Sequence, residues 1–200
     1  MTDRLSRRRF LALAGMGLGA SAIAACVRPT RRFTYSVATR GRIWADVGEF
    51  VNHAHGTLNA FSGWSLGGSA AFERVGSGGD FTLWLCEAGQ VPSFSSICSS
   101  TYSCRVGRDV IINQDRWLQG TSTWPYGLNE YRHYVVNHET GHWLGLSHWP
   151  SPGPGRYCPV MFQQSKGIYD GSIYNTWPLR TEKQFVSDRY GLPILDPSGP

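Results

Sequence analysis

The sequence has little charge: of its 200 residues, only 16% are aspartate, glutamate, lysine or arginine. A disordered chain would have more charge and fewer apolar residues than this one, in which 41% of residues are hydrophobic. The length suits one domain with a sizeable core. We therefore expect a single globular domain, and the 24 glycines predict that it is rich in loops.

The sequence also lacks a basic stripe with interleaved aromatic residues. The net charge is +5, but the first 25 residues contain four arginines and one aspartate, so they supply three of the five positive charges. The basic character therefore belongs mainly to the N-terminal segment. We expect no nucleic-acid partner.

No apolar run is long enough to cross a membrane comfortably. The longest spans about 15 residues and follows a basic stretch, whereas a spanning helix needs about 20. The stretch "SRRRFLALAGMGLGASAIAAC" instead predicts an export signal over residues 1–25. Its arginine pair, followed by Phe10 and Leu11, resembles a twin-arginine signal.

The end of this segment, Ile23-Ala24-Ala25-Cys26, resembles a bacterial lipobox, in which the cysteine is lipidated and becomes the new N-terminus. Lipidation of Cys26 is the leading interpretation. Cleavage after residues 22–24, which would release a secreted protein, and an uncleaved anchor are the alternatives. Residues 26–32 are predicted to be a tether before a domain at 33–200. We expect an exported protein that contacts the membrane only through the lipid on Cys26.

The sequence contains no CxxC pair, which argues against a cysteine-ligated metal. Apart from Cys26, an even number of cysteines remains, and this predicts two disulfides in an exported protein. The spacing of Cys98 and Cys104 suits a short local loop. This favours the pairing Cys98–Cys104 with Cys86–Cys158, while the other two connectivities stay open.

Hydrophobic periodicity predicts an α+β domain with one mixed sheet. Strands are predicted at 33–39, 70–75 and 80–88, with a hairpin formed by 99–106 and 109–113. Helices are predicted at 46–59, from 129 or 130 to Gly145, and from Thr181 as N-cap to Gly191 as the residue after the helix. His53 and His55 lie off the apolar stripe of the first helix, so we expect both to be solvated.

The stretch "HETGHWLGLSH" places three histidines, one glutamate and one glycine at fixed spacings. His138 and His142 are four residues apart on the predicted helix, so both rings can reach one ion. Glu139 lies about 100° around the helix, where it can act as a general base on a zinc-bound water. A turn at Gly145 can return His148 to the same ion. The pattern predicts an open zinc site with three imidazole ligands.

At these five residues the chain resembles the metzincin zinc endopeptidases, whose motif HExxHxxGxxH is followed by a turn with a methionine beneath the ligands. Met161 in "CPVM" is the candidate for that methionine. The resemblance implies a twisted mixed sheet with a backing helix, a zinc-site helix and a C-terminal helix, which here would end at Tyr190 and Gly191. Gln163 stands where astacin-like members have a tyrosine, so no tyrosyl ligand is expected.

The chain is also similar to an uncharacterised group of exported actinobacterial proteins described as metalloprotease-like. The similarity lies in "YSCRVGRDVIIN", "VVNHETGHWLG", "GPGR", "PVM", "QQ" and "NTWPL". The metzincin resemblance further implies that an edge strand at about Ser100–Arg105 pairs with an extended peptide substrate. Cys98–Cys104 would then brace the rim of the cleft, and Tyr102 would affect cleavage preference.

The leading hypothesis is therefore a zinc-dependent endopeptidase at the cell envelope, expected to be a monomer that binds extended peptides. The main alternative is a zinc-stabilised binding or adhesion lipoprotein without activity, although that role does not require a carboxylate at Glu139. A hydrolase acting on a non-protein amide is the third possibility, because the same residues would activate water.

Overall fold

The computed structural model describes residues 28–196, so the predicted export signal and Cys26 lie outside the described residues. Within them the fold is a mixed α/β architecture. The strands are β1 (Arg31–Arg40), β2 (Ala70–Arg74), β3 (Phe81–Cys86), β4 (Cys104–Val106) and β5 (Asp109–Asn113). The α-helices are α1 (Val47–Leu58), α2 (Gln114–Gln119), α3 (Leu128–Trp143) and α4 (Arg180–Tyr190), and short 3₁₀ helices occur at Ala88–Ser93 and Gln164–Lys166.

The five strands form one mostly parallel sheet in the order β2-β1-β3-β5-β4. β1 pairs in parallel with both β2 and β3, and β3 pairs in parallel with β5. β4 runs antiparallel to β5 and forms one edge of the sheet. The predicted mixed sheet is therefore confirmed, and its single antiparallel strand is the one predicted to lie in a hairpin.

The core lies between the sheet and the pair of helices α1 and α3. Trp143 at the end of α3 packs against Phe33 of β1 and Phe81 of β3, with ring centroids 5.4 and 4.5 Å apart. The limits predicted for α1 are correct, since Asp46 caps its first turn by accepting from the backbone N–H of Glu49 and Asn59 follows its last residue. This packing fixes α3, which carries most of the candidate site.

The structure differs from the predicted elements in four places. The last helix begins at Arg180 with Leu179, not Thr181, as its N-cap, because the Glu182 carboxylate accepts from the Leu179 N–H. β1 begins two residues before Phe33, inside the predicted tether, because Thr30 and Arg31 donate to the Ser69 carbonyl. Helix α2 was not predicted. The strand predicted from residue 99 is limited to β4, because Asn113 bonds Ser100 and Ser103 outside a regular ladder.

One of the two predicted disulfides is present. Cys98 and Cys104 are bonded, with their Cα atoms 5.8 Å apart. The predicted Cys86–Cys158 bond is wrong, because both residues are buried free thiols in separate environments. Cys86 packs in a small cluster with Val91, Cys98 and Ile111. Cys158 instead lies beside the hydroxyls of Ser151 and Ser172.

The histidines of α1 also differ from expectation. His55 is exposed as predicted, but His53 is half-buried, with its ring stacked 4.1 Å from that of His133 on α3.

None of the helices within residues 28–196 combines the length and hydrophobicity needed to cross a membrane.

Candidate metal centre

The C-terminal half of α3 and the turn after it bring the predicted ligands together. His138 is 7% exposed and Glu139 5%. The helix ends at Trp143, and Gly145 adopts a φ of +107°, a conformation that favours glycine. A side chain at Gly145 would also meet the guanidinium of Arg189 at 2.9 Å. The sharp turn therefore requires glycine, and it returns His148 toward the helix.

His138, His142 and His148 form a cluster that could hold a metal ion, because one ring nitrogen of each lies within 4.8 Å of the others. The Nε2 atoms of His142 and His148 are 3.1 Å apart. Two nitrogens that bind one tetrahedral zinc at about 2.0–2.1 Å are roughly 3.3 Å apart. The spacing of these two nitrogens is therefore close to what one shared ion requires.

Backbone carbonyls fix the orientation of two of these rings. His138 Nδ1 lies 2.8 Å from the Val160 carbonyl oxygen, and His142 Nδ1 lies 2.9 Å from the Leu146 carbonyl oxygen. A carbonyl can only accept, so Nδ1 carries the proton in both rings and Nε2 presents a lone pair. The same arrangement holds ligating histidines in metal centres. The donor set thus fits a zinc ion.

Burial keeps these rings neutral. It lowers the pKa of His138 to about 3 and that of His142 to about 4, and it also lowers the pKa of His148. The neighbouring histidines depress the first two values further. Neutral imidazole is the form that binds a metal, so the site is ready for a cation at neutral pH.

Met161 is fully buried and packs against α3 at Gly141, between the predicted ligands His138 and His142. A Cβ added to Gly141 would overlap the sulfur of Met161 and would lie 3.0 Å from Cζ2 of Trp64. Gly141 is therefore needed for the methionine to approach α3. The Trp149 N–H donates to the Met161 carbonyl at 3.2 Å, which ties the segment after His148 to the same turn.

Glu182, in the first turn of α4, binds the backbone of the segment that contains Met161. Its carboxylate accepts from the N–H groups of Val160 and Met161 at 3.0 and 2.8 Å, and from its own helix at Leu179 N–H at 2.8 Å. Burial is complete and raises the pKa of Glu182 to about 7, although these three hydrogen bonds oppose the rise. One carboxylate therefore positions the backbone whose Val160 carbonyl orients His138.

Glu139 lies with the three histidines in one open cleft of about 340 Å³. Burial raises its pKa to about 8, while the positive charge of Arg105 lowers it. A carboxyl group with a pKa near neutrality is suited to take up and release a proton. Cys104 and Arg105 of edge strand β4 line the cleft, although the strand begins four residues after Ser100, where the prediction placed its start.

The structure brings most of the predicted site residues together. His138, Glu139, His142 and His148 line the cleft, as do Tyr102, Gln163 and both cysteines of the disulfide. Sequence reasoning missed four residues that contact the cleft or its supports: Arg105, Tyr134, Lys166 and Glu182.

Tyr134 is the missed residue closest to a predicted ligand. Its hydroxyl donates to the Phe162 carbonyl at 3.0 Å, accepts from the Gln164 N–H at 2.9 Å and lies 3.5 Å from His138 Nδ1. Burial raises its pKa well above the ordinary value. Tyr134 lies four residues before His138 on α3, so the sequence places the two side chains on one face of the helix. That spacing alone indicates core packing as readily as a role in the site.

These features define a mixed α/β protein with a three-histidine cluster at the floor of a cleft. The chain belongs to the family described as "Protein of unknown function (DUF3152)", whose match covers residues 18–188. Among solved structures, it is similar to archaemetzincin from Methanopyrus kandleri at 12% identity and a TM-score of 0.46. The match covers 80% of this chain and 96% of that one. A comparison with curated proteins finds no match.

Proposed function

We propose that the protein is a zinc-dependent endopeptidase of the metzincin type. His138, His142 and His148 would hold the ion, and Glu139 would serve as the general base. The observation that carries this proposal is the pair of carbonyl bonds to the Nδ1 atoms of His138 and His142, because they leave both Nε2 lone pairs available in a cluster whose ligand atoms lie within 4.8 Å of one another. A histidine that merely fills a core has no need of this convergence.

Zinc, when bound, supplies a Lewis acid that makes water more acidic and polarises a carbonyl group. Glu139 lines the same cleft, so it can take a proton from water and deliver it to the leaving amine. Arg105 lowers the pKa of Glu139 and favours the carboxylate form that accepts the proton. Edge strand β4 offers backbone groups with which an extended peptide can pair.

The proposal extends to the fold and to the domain. Met161 would be the methionine of the metzincin turn, and residues 33–200 would form a metzincin-like catalytic domain. The contacts of Met161 with Gly141 and of Glu182 with the Met161 N–H support this, since both link the turn to the helices of the site.

The proposal also includes export. Residues 1–25 would be removed as a signal, and Cys26 would be lipidated at the cell envelope or the protein would be secreted. The partner would be a peptide or protein substrate, not nucleic acid, and the protein would act as a monomer. The basic stretch and the lipobox-like end of the leader support this part.

A peptide library tests the activity. The purified protein with zinc and its Glu139→Gln variant are incubated with the library, and mass spectrometry identifies the cut sites. We expect cleavage by the wild type and a rate at least about 100-fold lower for the variant, the usual range for loss of a general base. Zinc content, measured on both proteins, should be equal.

The outcomes separate the candidate functions. Equal cleavage by both proteins would contradict the role of Glu139. No cleavage by either, with zinc bound to both, would favour the non-catalytic binding lipoprotein. Release of amide fragments only from purified cell wall would favour a hydrolase that acts on a non-protein amide.

A further inference from the structure

The charges that line the cleft are unequal in sign. Besides the three histidines, its charged lining residues are Arg105, Lys166 and Glu139. If Glu139 is used in catalysis, both remaining charges are positive. An extended peptide in the cleft would therefore lie close to two cations.

Arg105 lies on β4, the edge strand above the site. Its Nε atom is buried and has no hydrogen-bond acceptor among the described residues. Its positive charge lowers the pKa of both Glu139 and His142, which line the same cleft. A buried guanidinium donor without an acceptor is costly unless a ligand satisfies it.

Lys166 lies at the end of the short helix that follows the Met161 turn. It is exposed, and its Nζ lies 5.8 Å from the centroid of the Tyr102 ring, which also lines the cleft. Its charge lowers the pKa of His138 and His148. The two cations therefore reach the cleft from different segments of the chain.

Two buried cations elsewhere in the described chain are paired with carboxylates. Arg132 bonds Glu49 at 2.6 Å, and the nearly inaccessible Lys183 bonds Asp196 at 2.7 Å. Within residues 28–196, no ion pair includes Arg105 or Lys166. Two cations without an ion-pair partner thus line the cleft in which a substrate would lie.

We propose, on the basis of the proposed peptidase function, that the cleft selects acidic peptides. Arg105 would bind an aspartate or glutamate side chain close to the scissile bond, and Lys166 would attract a second one. The planar guanidinium can donate two parallel hydrogen bonds to one carboxylate, whereas the lysine acts as a point charge. Arg105 therefore contributes more to the selection.

Matched peptides test the selection. Each contains one cut site, with Glu, Gln or Lys at the positions that flank the bond. We expect the wild type to favour Glu over Gln at least about tenfold in kcat/KM, the effect of one charge-assisted hydrogen bond. Arg105→Gln should abolish most of this ratio, and Lys166→Gln should lower it by a smaller factor. Arg180→Gln, which removes an exposed positive charge outside the cleft, should keep it.

A binding measurement distinguishes failure of this inference from failure of the proposed function. The affinities of the Glu and Gln peptides are compared between Glu139→Gln and the double variant Glu139→Gln/Arg105→Gln, after thermal unfolding has shown that both are folded. Tighter binding of the Glu peptide only when Arg105 is present supports the inference, even if the wild type cleaves nothing. Cleavage or binding without a preference for acidic residues, or a preference that survives both substitutions, overturns it.

Discussion

Helix α3 carries histidines on two faces, and the two groups differ in what their ring nitrogens contact. His138 and His142 face the cleft together with His148. His133 faces the opposite way and stacks on His53 of α1. Burial lowers the pKa of the histidines in both groups. A low pKa alone therefore does not distinguish them.

The hydrogen-bond partners do distinguish them. His133 Nδ1 lies 2.8 Å from the hydroxyl of Thr57, and His53 Nε2 lies 3.1 Å from the amide oxygen of Asn129. Their rings meet face to face rather than edge to edge. Within residues 28–196, the cleft histidines are the only cluster of three or more His, Cys, Asp or Glu side chains that could hold a metal. Two stacked rings fill space, whereas three converging nitrogens form a site.

Substitution of one histidine from each face tests this comparison most directly. We expect His142→Ala to lower zinc affinity by at least about 1,000-fold, because a three-ligand site loses a ligand, and to lower stability because metal binding is linked to folding. His133→Ala should keep zinc affinity within about twofold, since it removes only packing away from the cleft. Isothermal titration with zinc measures both. Equal losses in the two variants would mean that the faces are not distinct.

Much of the cleft face could be predicted because it lies in one short stretch. The spacing of His138 and His142 follows from the helical repeat, and a glycine at residue 145 indicates the turn. The structure agrees in both respects. The supports could not be predicted in this way. Glu182 lies 21 residues after Met161, and only the packing of α4 brings its carboxylate to the turn.

The fold shows the same division. The ends of α1 were predictable because Asp46 caps the helix and its apolar stripe continues for three turns. Helix α2 has only six residues, too few to show a periodic pattern, and its cap is Asn113 at the end of a strand. The Cys86–Cys158 pairing was wrong because it rested on a count of cysteines, and spacing does not reveal on which side of a sheet a thiol lies.

The next prediction concerns Glu182, which supports the backbone next to the cleft histidines and has no role near His133. We expect Glu182→Gln to weaken zinc binding about 10- to 100-fold and to destabilise the protein by about 1–3 kcal/mol, because an amide offers one acceptor where the carboxylate oxygens accept three N–H groups. Zinc titration and urea unfolding measure these effects.

The matched control is Glu130→Gln, which changes the glutamate at the same position of the first turn of α3. Its side chain faces His133 rather than the metal centre. It should leave zinc affinity unchanged and cost at most about 1 kcal/mol. A larger loss of zinc affinity in this variant than in Glu182→Gln would reverse our assignment of the supporting carboxylate.

Two glycine substitutions sharpen the comparison by packing alone. Gly141→Ala should destabilise the protein by about 1–3 kcal/mol, because the new methyl group overlaps the Met161 sulfur beneath the ligands. Gly56→Ala, in α1 on the side of the other histidines, meets nothing within 4 Å and should stabilise the helix by up to about 1 kcal/mol. Thermal unfolding measures the sign of the stability change in both variants. If Gly141→Ala leaves stability unchanged, Met161 lies farther from α3 than the structure shows.

The stacked pair should reveal itself in the dependence of stability on pH. Burial lowers the pKa of His53 to about 4 in the folded protein, and the charges of His133 and Arg132 lower it further, whereas the Asn129 bond and Glu49 act in the opposite direction. The unfolded chain protonates near 6.5, so it binds more protons than the folded protein between pH 6.5 and 4. Stability contributed by neutral His53 is therefore present above pH 6.5 and is lost as the pH falls toward 4.

The smallest effect that we predict follows from this sign. Because His53 is only half-buried, the loss between pH 7 and pH 5 should be on the order of 1 kcal/mol after allowance for solvent screening. His53→Gln cannot take up the proton, so its unfolding free energy should fall less than that of the wild type over this range. Urea unfolding at both pH values, with saturating zinc at each, measures the difference while the cleft histidines stay metal-bound. If the unfolding free energy falls equally in both proteins, His53 is protonated as easily in the folded protein as in the unfolded chain. The two groups of histidines would then differ only in their hydrogen bonds.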